Sequence, residues 1–143
     1  MIIDSQLLFS NEQTITSTAA STNVVDLGAV RNLGVGEDLY LVVGVDVAMD
    51  DSGSDSTLAV TIETDDNEGF NSATVAQSIG TFSALSVAGT RLVAKLQPDK
   101  INERYMRLKY TPGTGDLSAG KFTAFLAKDI QAFTAYADGI TIS

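Results

Sequence analysis

The chain has 143 residues and carries 18 acidic against 9 basic side chains, a net charge of −9 with a pI near 4.2. That length suits one domain, 1–143, able to bury roughly two-thirds of its unfolded surface without cross-links. With no Cys and no His, disulfides, thiolate nucleophiles, imidazole triads and His-ligated zinc are excluded, and the acidic balance argues against sequence-independent binding of nucleic acid.

The start, MIIDSQLLF, is apolar but has no basic leader segment. No signal peptide is expected. The longest apolar run, Leu39 to Val45, is too short to span a bilayer, so the expectation is a soluble chain of cytosolic origin with no membrane contact. Two weaker strand candidates come first, Ile3–Phe9 and Asn23–Leu27. The stretch around Gly34 and Gly36 has neither the Lys nor the following helix that a phosphate loop needs.

Period-two alternation then takes over. Leu39, Leu41, Val43, Val45 and Val47 share one face of a strand, against Tyr40, Val42, Gly44 and Asp46. Because both faces are largely apolar, this reads as a central strand. Leu58, Val60 and Ile62 alternate with Thr57, Thr61 and Glu63, one dry face and one wet. A weaker strand is expected over Ala73–Thr81. Leu92, Ala94 and Leu96 then alternate with Arg91 and Lys95. Further on, Met106, Leu108 and Tyr110 alternate with Tyr105, Arg107 and Lys109, and Phe122, Ala124 and Leu126 with Lys121, Thr123 and Phe125.

Turn-forming loops separate these runs: Met49–Ser56, Asp65–Phe70, Ser86–Gly89 and Pro112–Asp116. Pro98 and Pro112 are each expected to end a ladder. At most a turn is expected near Asp99–Glu103. About eight short strands with no helical spacing predict an all-β, single-domain antiparallel β-sandwich, with a jelly roll the favoured arrangement. The last stretch, 130–143, carries only Asp138 as a charge and holds Phe133, Tyr136, Ile140 and Ile142. It is expected to form a C-terminal edge strand or a subunit-contacting segment, or to pack on its own sandwich.

Charge is laid out unevenly. Ten acids and no base lie between Glu37 and Glu68. Arg91, Lys95, Lys100, Arg104, Arg107 and Lys109 are opposed only by Asp99 and Glu103. The functional reading of that second block is a docking surface; the alternative is cross-strand pairing with the acids of 37–68. The acidic loops at Asp50, Asp51 and Asp55 and at Asp65, Asp66, Asn67 and Glu68 offer oxygen ligands but lack the EF-hand spacing. They read as ordinary solvated loops. Asp46 and Glu63 are the carboxylate pair a glycosidase would need, but there is no Trp platform for a sugar. Neither catalytic residues nor a cofactor nor a metal site is expected.

The segments MIIDSQLLFS, TSTAASTNVVDLGAVRNLG, DSGSDSTLAVTIETDDN, GTRLVAKLQPDKINERYMRLKY and AGKFTAFLAKDIQAFTAYADGITIS together resemble the capsid cement, or decoration, proteins of short-tailed phages of the Bordetella-phage type. The resemblance covers essentially the whole chain and rests on overall pattern. It implies a jelly roll on the outer capsid surface of a virion, made in the host cytoplasm. Its partners would be the major capsid protein of a tailed phage and a second copy of itself, as a homodimer, with a trimer the other closed form. The expected interface residues are Arg91, Lys95, Arg104, Arg107 and Lys109 from the basic block and Phe133, Tyr136, Ile140 and Ile142 from the end of the chain. The competing function is a carbohydrate- or receptor-binding jelly roll on a virion, served by Tyr40, Tyr105, Tyr110 and Tyr136.

Overall fold

A computed structural model describes residues 3–30, 36–128 and 130. The expected segment 130–143 therefore lies, apart from Ile130, outside the described residues. Nine strands follow in chain order: β1 (Leu8–Thr14), β2 (Ala19–Ala20), β3 (Val25–Asp26), β4 (Tyr40–Asp50), β5 (Thr57–Asp65), β6 (Thr74–Phe82), β7 (Arg91–Lys95), β8 (Tyr105–Gly113) and β9 (Ala119–Ala127). All pairings are antiparallel.

Sheet A runs β1-β9-β4-β7 and sheet B runs β2-β8-β5-β6, with β3 also on β8. β2 and β3 pair with successive parts of the same strand, at Tyr110 to Lys109 and at Met106 to Tyr105. They are two pieces of one interrupted strand. Counted so, the first strand pairs the last, the second the seventh, the third the sixth and the fourth the fifth. One long hairpin has been rolled up, which is the jelly-roll arrangement.

The inward residues are those the alternation selects. Leu41, Val43, Val45, Phe122, Ala124 and Leu126 from sheet A meet Leu58, Val60, Ile62, Met106, Leu108 and Tyr110 from sheet B. Phe122 sits at the centre, its ring 5.6 Å from that of Phe82 and 6.0 Å from that of Tyr110. The Tyr110 hydroxyl is buried and lies 2.8 Å from Ser10 Oγ on the opposite sheet. Ser10 in turn donates to Gln13 Oε1 at 2.7 Å, so burying a phenol leaves no polar atom unpaired. Burial pushes the Tyr110 phenol up to about 12.

Three expectations change. Ser5–Leu7 is a 3-10 turn, not strand, because the Asp4 carboxylate accepts from the Gln6 N–H and caps it; β1 starts only at Leu8. Val47 does not join Leu41, Val43 and Val45: a register shift after Val45 brings it opposite Lys121 and leaves it 45% exposed. Pro112 lies inside β8, opposite Leu58. β2 reaches only Tyr110 on the other side, so Pro112 occupies an edge position where a missing N–H costs little. The turn near 99 does form, closed by the Lys100 N–H on the Gln97 carbonyl.

Both long sides of the sandwich are tied by side-chain amides. On one, Gln13 Nε2 donates to the Ala20 carbonyl and Gln13 Oε1 accepts from the Thr22 N–H, while Asn23 Nδ2 donates to the Leu8 carbonyl. On the other, Gln77 of β6 donates to the Lys95 carbonyl and accepts from the Gln97 N–H, joining sheet B to β7 of sheet A. These bonds occupy backbone groups that open sheet edges would present to a stray strand.

Candidate functional site

The basic block does not form one surface. β7 belongs to sheet A and β8 to sheet B. With Leu96 and Leu108 buried in the core, Arg91 and Lys95 face out from one side of the sandwich and Arg107 and Lys109 from the other. Sequence proximity along 91–109 is therefore lost across two sheets about 10 Å apart.

On sheet B the cations meet acids. Glu63, whose side chain is only 5% exposed, is 2.9 Å from Arg107 and 3.3 Å from Lys109. The Arg107 guanidinium also lies 4.2 Å above the Phe70 ring, and the aromatic face shields the pair from water. Phe70 comes from the loop after β5, which is held by Asp65. That carboxylate accepts from the Asn67 N–H and the Ser72 N–H, and these bonds hold it below the usual carboxylate range. Arg104 makes a two-pronged contact with Asp26, at 2.8 and 2.9 Å. The guanidinium, helped by the Gly28 N–H, brings the Asp26 carboxyl down to about 2.

On sheet A, Lys95 pairs with Asp38 at 2.6 Å, which raises the Lys95 ammonium above its usual value. Cross-strand pairing within the domain accounts for much of the block. Glu63 on β5 serves Arg107 and Lys109, Asp26 at the end of β3 meets Arg104 just before β8, and Asp38, which meets Lys95, lies just before β4.

The acidic loops serve their own turns. Asp51 accepts from the Ser56 N–H and hydroxyl, at 3.2 and 2.7 Å. Among the described residues no three acidic side chains converge as metal ligands. The proposed carboxylate pair is separated: Asp46 lies on the outside of sheet A and accepts from Thr123 Oγ1 at 2.6 Å, whereas Glu63 faces out of sheet B. Asp46 and Glu63 cannot act on one bond. Tyr110, named among the possible sugar-binding aromatics, is wholly buried.

A feature not anticipated lies on the outer face of sheet A. Val93, Val42, Phe125 and Leu8 are in register on four successive strands, an apolar row on the side away from the core. Val42 and Phe125 are 3% and 6% exposed, yet neither belongs to the inter-sheet core. Beside them Val93 is 49% exposed and Ile3 45%. A groove of about 450 Å³ opens here, with Gly44 and Thr123 between Asp46 and Arg91. The loop after β6 is hydrogen-bonded alongside β4, through Ser86 to Met49 and Gly89 to Val45. It displays Leu85 and Val87, 48% and 65% exposed, near Val47. The sequence did carry a signal: an apolar run with both faces dry implies that the second face is covered too.

Fold and site together define an all-β jelly-roll sandwich, tied along both sides, with the Glu63 ion-pair cluster on sheet B and exposed apolar side chains on and beside sheet A. No helix among the described residues is long and apolar enough to cross a membrane. Residues 9–126 match the Bbp16 family model, and the chain belongs to the Bbp16 family. No curated protein matches the sequence.

Among solved structures, the chain is similar to part of a latent aurone synthase (polyphenol oxidase), at 14% identity and a TM-score of 0.49, covering 90% of this chain and 29% of that one. A structure of infectious bursal disease virus, Gx strain, gives 13% identity, a TM-score of 0.45 and coverage of 84% and 30%. The CBM22-1–GH10 modules of Clostridium thermocellum xylanase 10B give 15%, 0.44, and 96% and 29%. The chain thus spans less than a third of each of these chains, and their activities are their own.

Proposed function

We propose that this protein is a structural component of a phage virion, a cement protein that sits on the outer capsid surface and stabilises contacts between neighbouring capsomers of the major capsid protein. The observation that carries this reading is the set of exposed apolar side chains, Ile3, Val47, Leu85, Val87 and Val93, on sheet A and the segments beside it in a tied sandwich. A rigid apolar face suits docking onto another protein surface. Family membership supports the reading, as does the resemblance of the whole chain to cement proteins.

Each copy needs to contribute only modest interface energy, because a shell repeats the contact many times. An acidic outer protein also stays clear of the packaged DNA. A second copy of this chain is the other expected partner. The test is a particle comparison. Shells assembled without this protein should lose packaged DNA at lower temperature than complete ones, and adding the purified protein should restore them. Equal retention with and without it would refute the stabilising role.

A further inference from the structure

One long side of the sandwich is nearly free of charge. Of the 9 basic and 18 acidic residues, only Arg91 falls within 69–94. This stretch holds β6, the loop after it and the first four residues of β7. β6 and β7 are end strands of their sheets and lie side by side. Gln77 bonds to Lys95 and Gln97 across them, and a Cβ on Gly80 would lie 3.3 Å from the Leu92 side chain. Edge strands are usually guarded by charged side chains, above all Lys. β6 has none in nine residues; two register shifts against β5 and the Gln77 clamp guard it instead. Val75 on β6 is 57% exposed, with Leu85 and Val87 exposed beyond it.

The loop is held rigidly. Leu85 has φ +58°, a left-handed backbone that a bulky apolar residue adopts only under constraint. Ser86 supplies the constraint: its N–H and its hydroxyl both donate to the Ser83 carbonyl, at 3.3 and 2.7 Å, and its own carbonyl accepts from the Met49 N–H at 2.9 Å. An exposed loop fixed in this way loses little freedom when it is covered. Charge then selects what covers it. Two copies of this chain carry −9 each and repel over most of their surfaces. They meet at least cost where charge is missing, and a two-fold sets this uncharged side against itself. The area is sufficient. Nine residues of β6 run about 30 Å, and two sheets about 10 Å apart with their side chains span about 20 Å. That gives roughly 600 Å² per copy and about 1,200 Å² in a pair, the lower end of the range for stable association.

We propose that the β6–β7 side is the surface on which a second copy packs, by a two-fold that sets Val75, Leu85 and Val87 of each copy against the uncharged side of the other. The contact is made by side chains, because the bulged and clamped edges do not extend a sheet. It rests on the reading above, in which a second copy is the other partner, and gives that copy a face of its own. The outer face of sheet A, with Ile3, Val47 and Val93, is left for the shell.

Sedimentation equilibrium of the full chain, without shells, is the test. The wild type should form a dimer within about 10 µM to 1 mM protein. Raising salt from about 0.1 M to about 1 M should leave the dimer intact or tighten it, because salt screens only the repulsion between copies. Val75→Glu and Val87→Glu should each weaken it about tenfold or more, since a two-fold brings two new charges into one contact. Val30→Glu, at a 67% exposed position outside this stretch, should change it less than about twofold. An unchanged urea midpoint shows that each variant is folded, and if one fails to fold the other decides. A wild type that stays monomeric or closes as a trimer would overturn the proposal. So would a dimer that salt dissolves, or one that Val75→Glu and Val87→Glu weaken no more than Val30→Glu does. None of these results touches the stabilising role on the shell, which the particle comparison tests separately.

Discussion

Replacing Arg107 by Met tests whether the Glu63 cluster holds sheet B together. Met keeps much of the stem above Phe70 and removes the guanidinium. Glu63 is then left at 5% side-chain exposure with Lys109, at 3.3 Å, as its remaining cation. Breaking a fully buried pair costs about 3–5 kcal/mol, and breaking an exposed one about 0–1. Arg107 is 25% exposed and Lys109 42%, so screening and the second cation place Arg107→Met near 2 kcal/mol. Glu63→Gln is milder, at about 1 kcal/mol, because both freed cations can turn to water.

The double variant should lose about 1.5 kcal/mol, less than the sum of the singles, since it leaves no uncompensated charge. Urea unfolding reads all three. With a slope of about 2 kcal/mol per M, Arg107→Met lowers the midpoint by about 1 M. A loss under about 0.5 kcal/mol, or additive single effects, would refute the claim that Glu63 depends on Arg107.

Three further outcomes are expected. Tyr110→Phe should cost about 1 kcal/mol by removing the bond to Ser10. In the wild type, absorbance at high pH should show one phenol ionising only near 12. Its folded value is raised, so the stability it contributes is complete below about 10 and fades as pH climbs from there toward 12; ionisation of all tyrosines together near 10 in the folded protein would contradict this. Asp26 should titrate near 2 by carboxyl NMR, against an ordinary 3.8. Being lowered, it contributes stability above 3.8 that is lost as pH falls toward 2; Arg104→Ala should return it toward 3.8, and no change in that variant would dismiss the guanidinium as the cause. Gly120 has φ +153°, and a Cβ there would lie 3.1 Å from the Phe122 ring. Because that ring is wedged between Phe82 and Tyr110, Gly120→Ala should cost about 2 kcal/mol on thermal or urea unfolding, and a neutral result would mean the ring yields.

Much of the architecture was legible because alternation is a local property. A side chain's face follows from its parity, so Leu58, Val60 and Ile62, or Met106, Leu108 and Tyr110, could be assigned to the core one strand at a time. The failures came where the backbone slips or a cap intervenes. At Val47 a bulge reverses the parity. At Ser5–Leu7 a single carboxylate selects a turn over a strand of equal apolarity.

What composition and order determined by themselves was the class of molecule: an all-β sandwich with inward and outward residues already sorted, no imidazole or thiol chemistry, and a segregated charge pattern. Only the tertiary structure decided what that pattern means. Arg91 and Arg107 are sixteen positions apart in one basic stretch, yet the roll of the hairpin sends them to opposite faces. Glu63 and Asp46, which looked like partners, are parted in the same way. Val42 and Phe125, eighty-three positions apart, become neighbours across β4 and β9. Which strands adjoin is set by closing the whole core, a condition on all nine strands at once that no window of sequence contains.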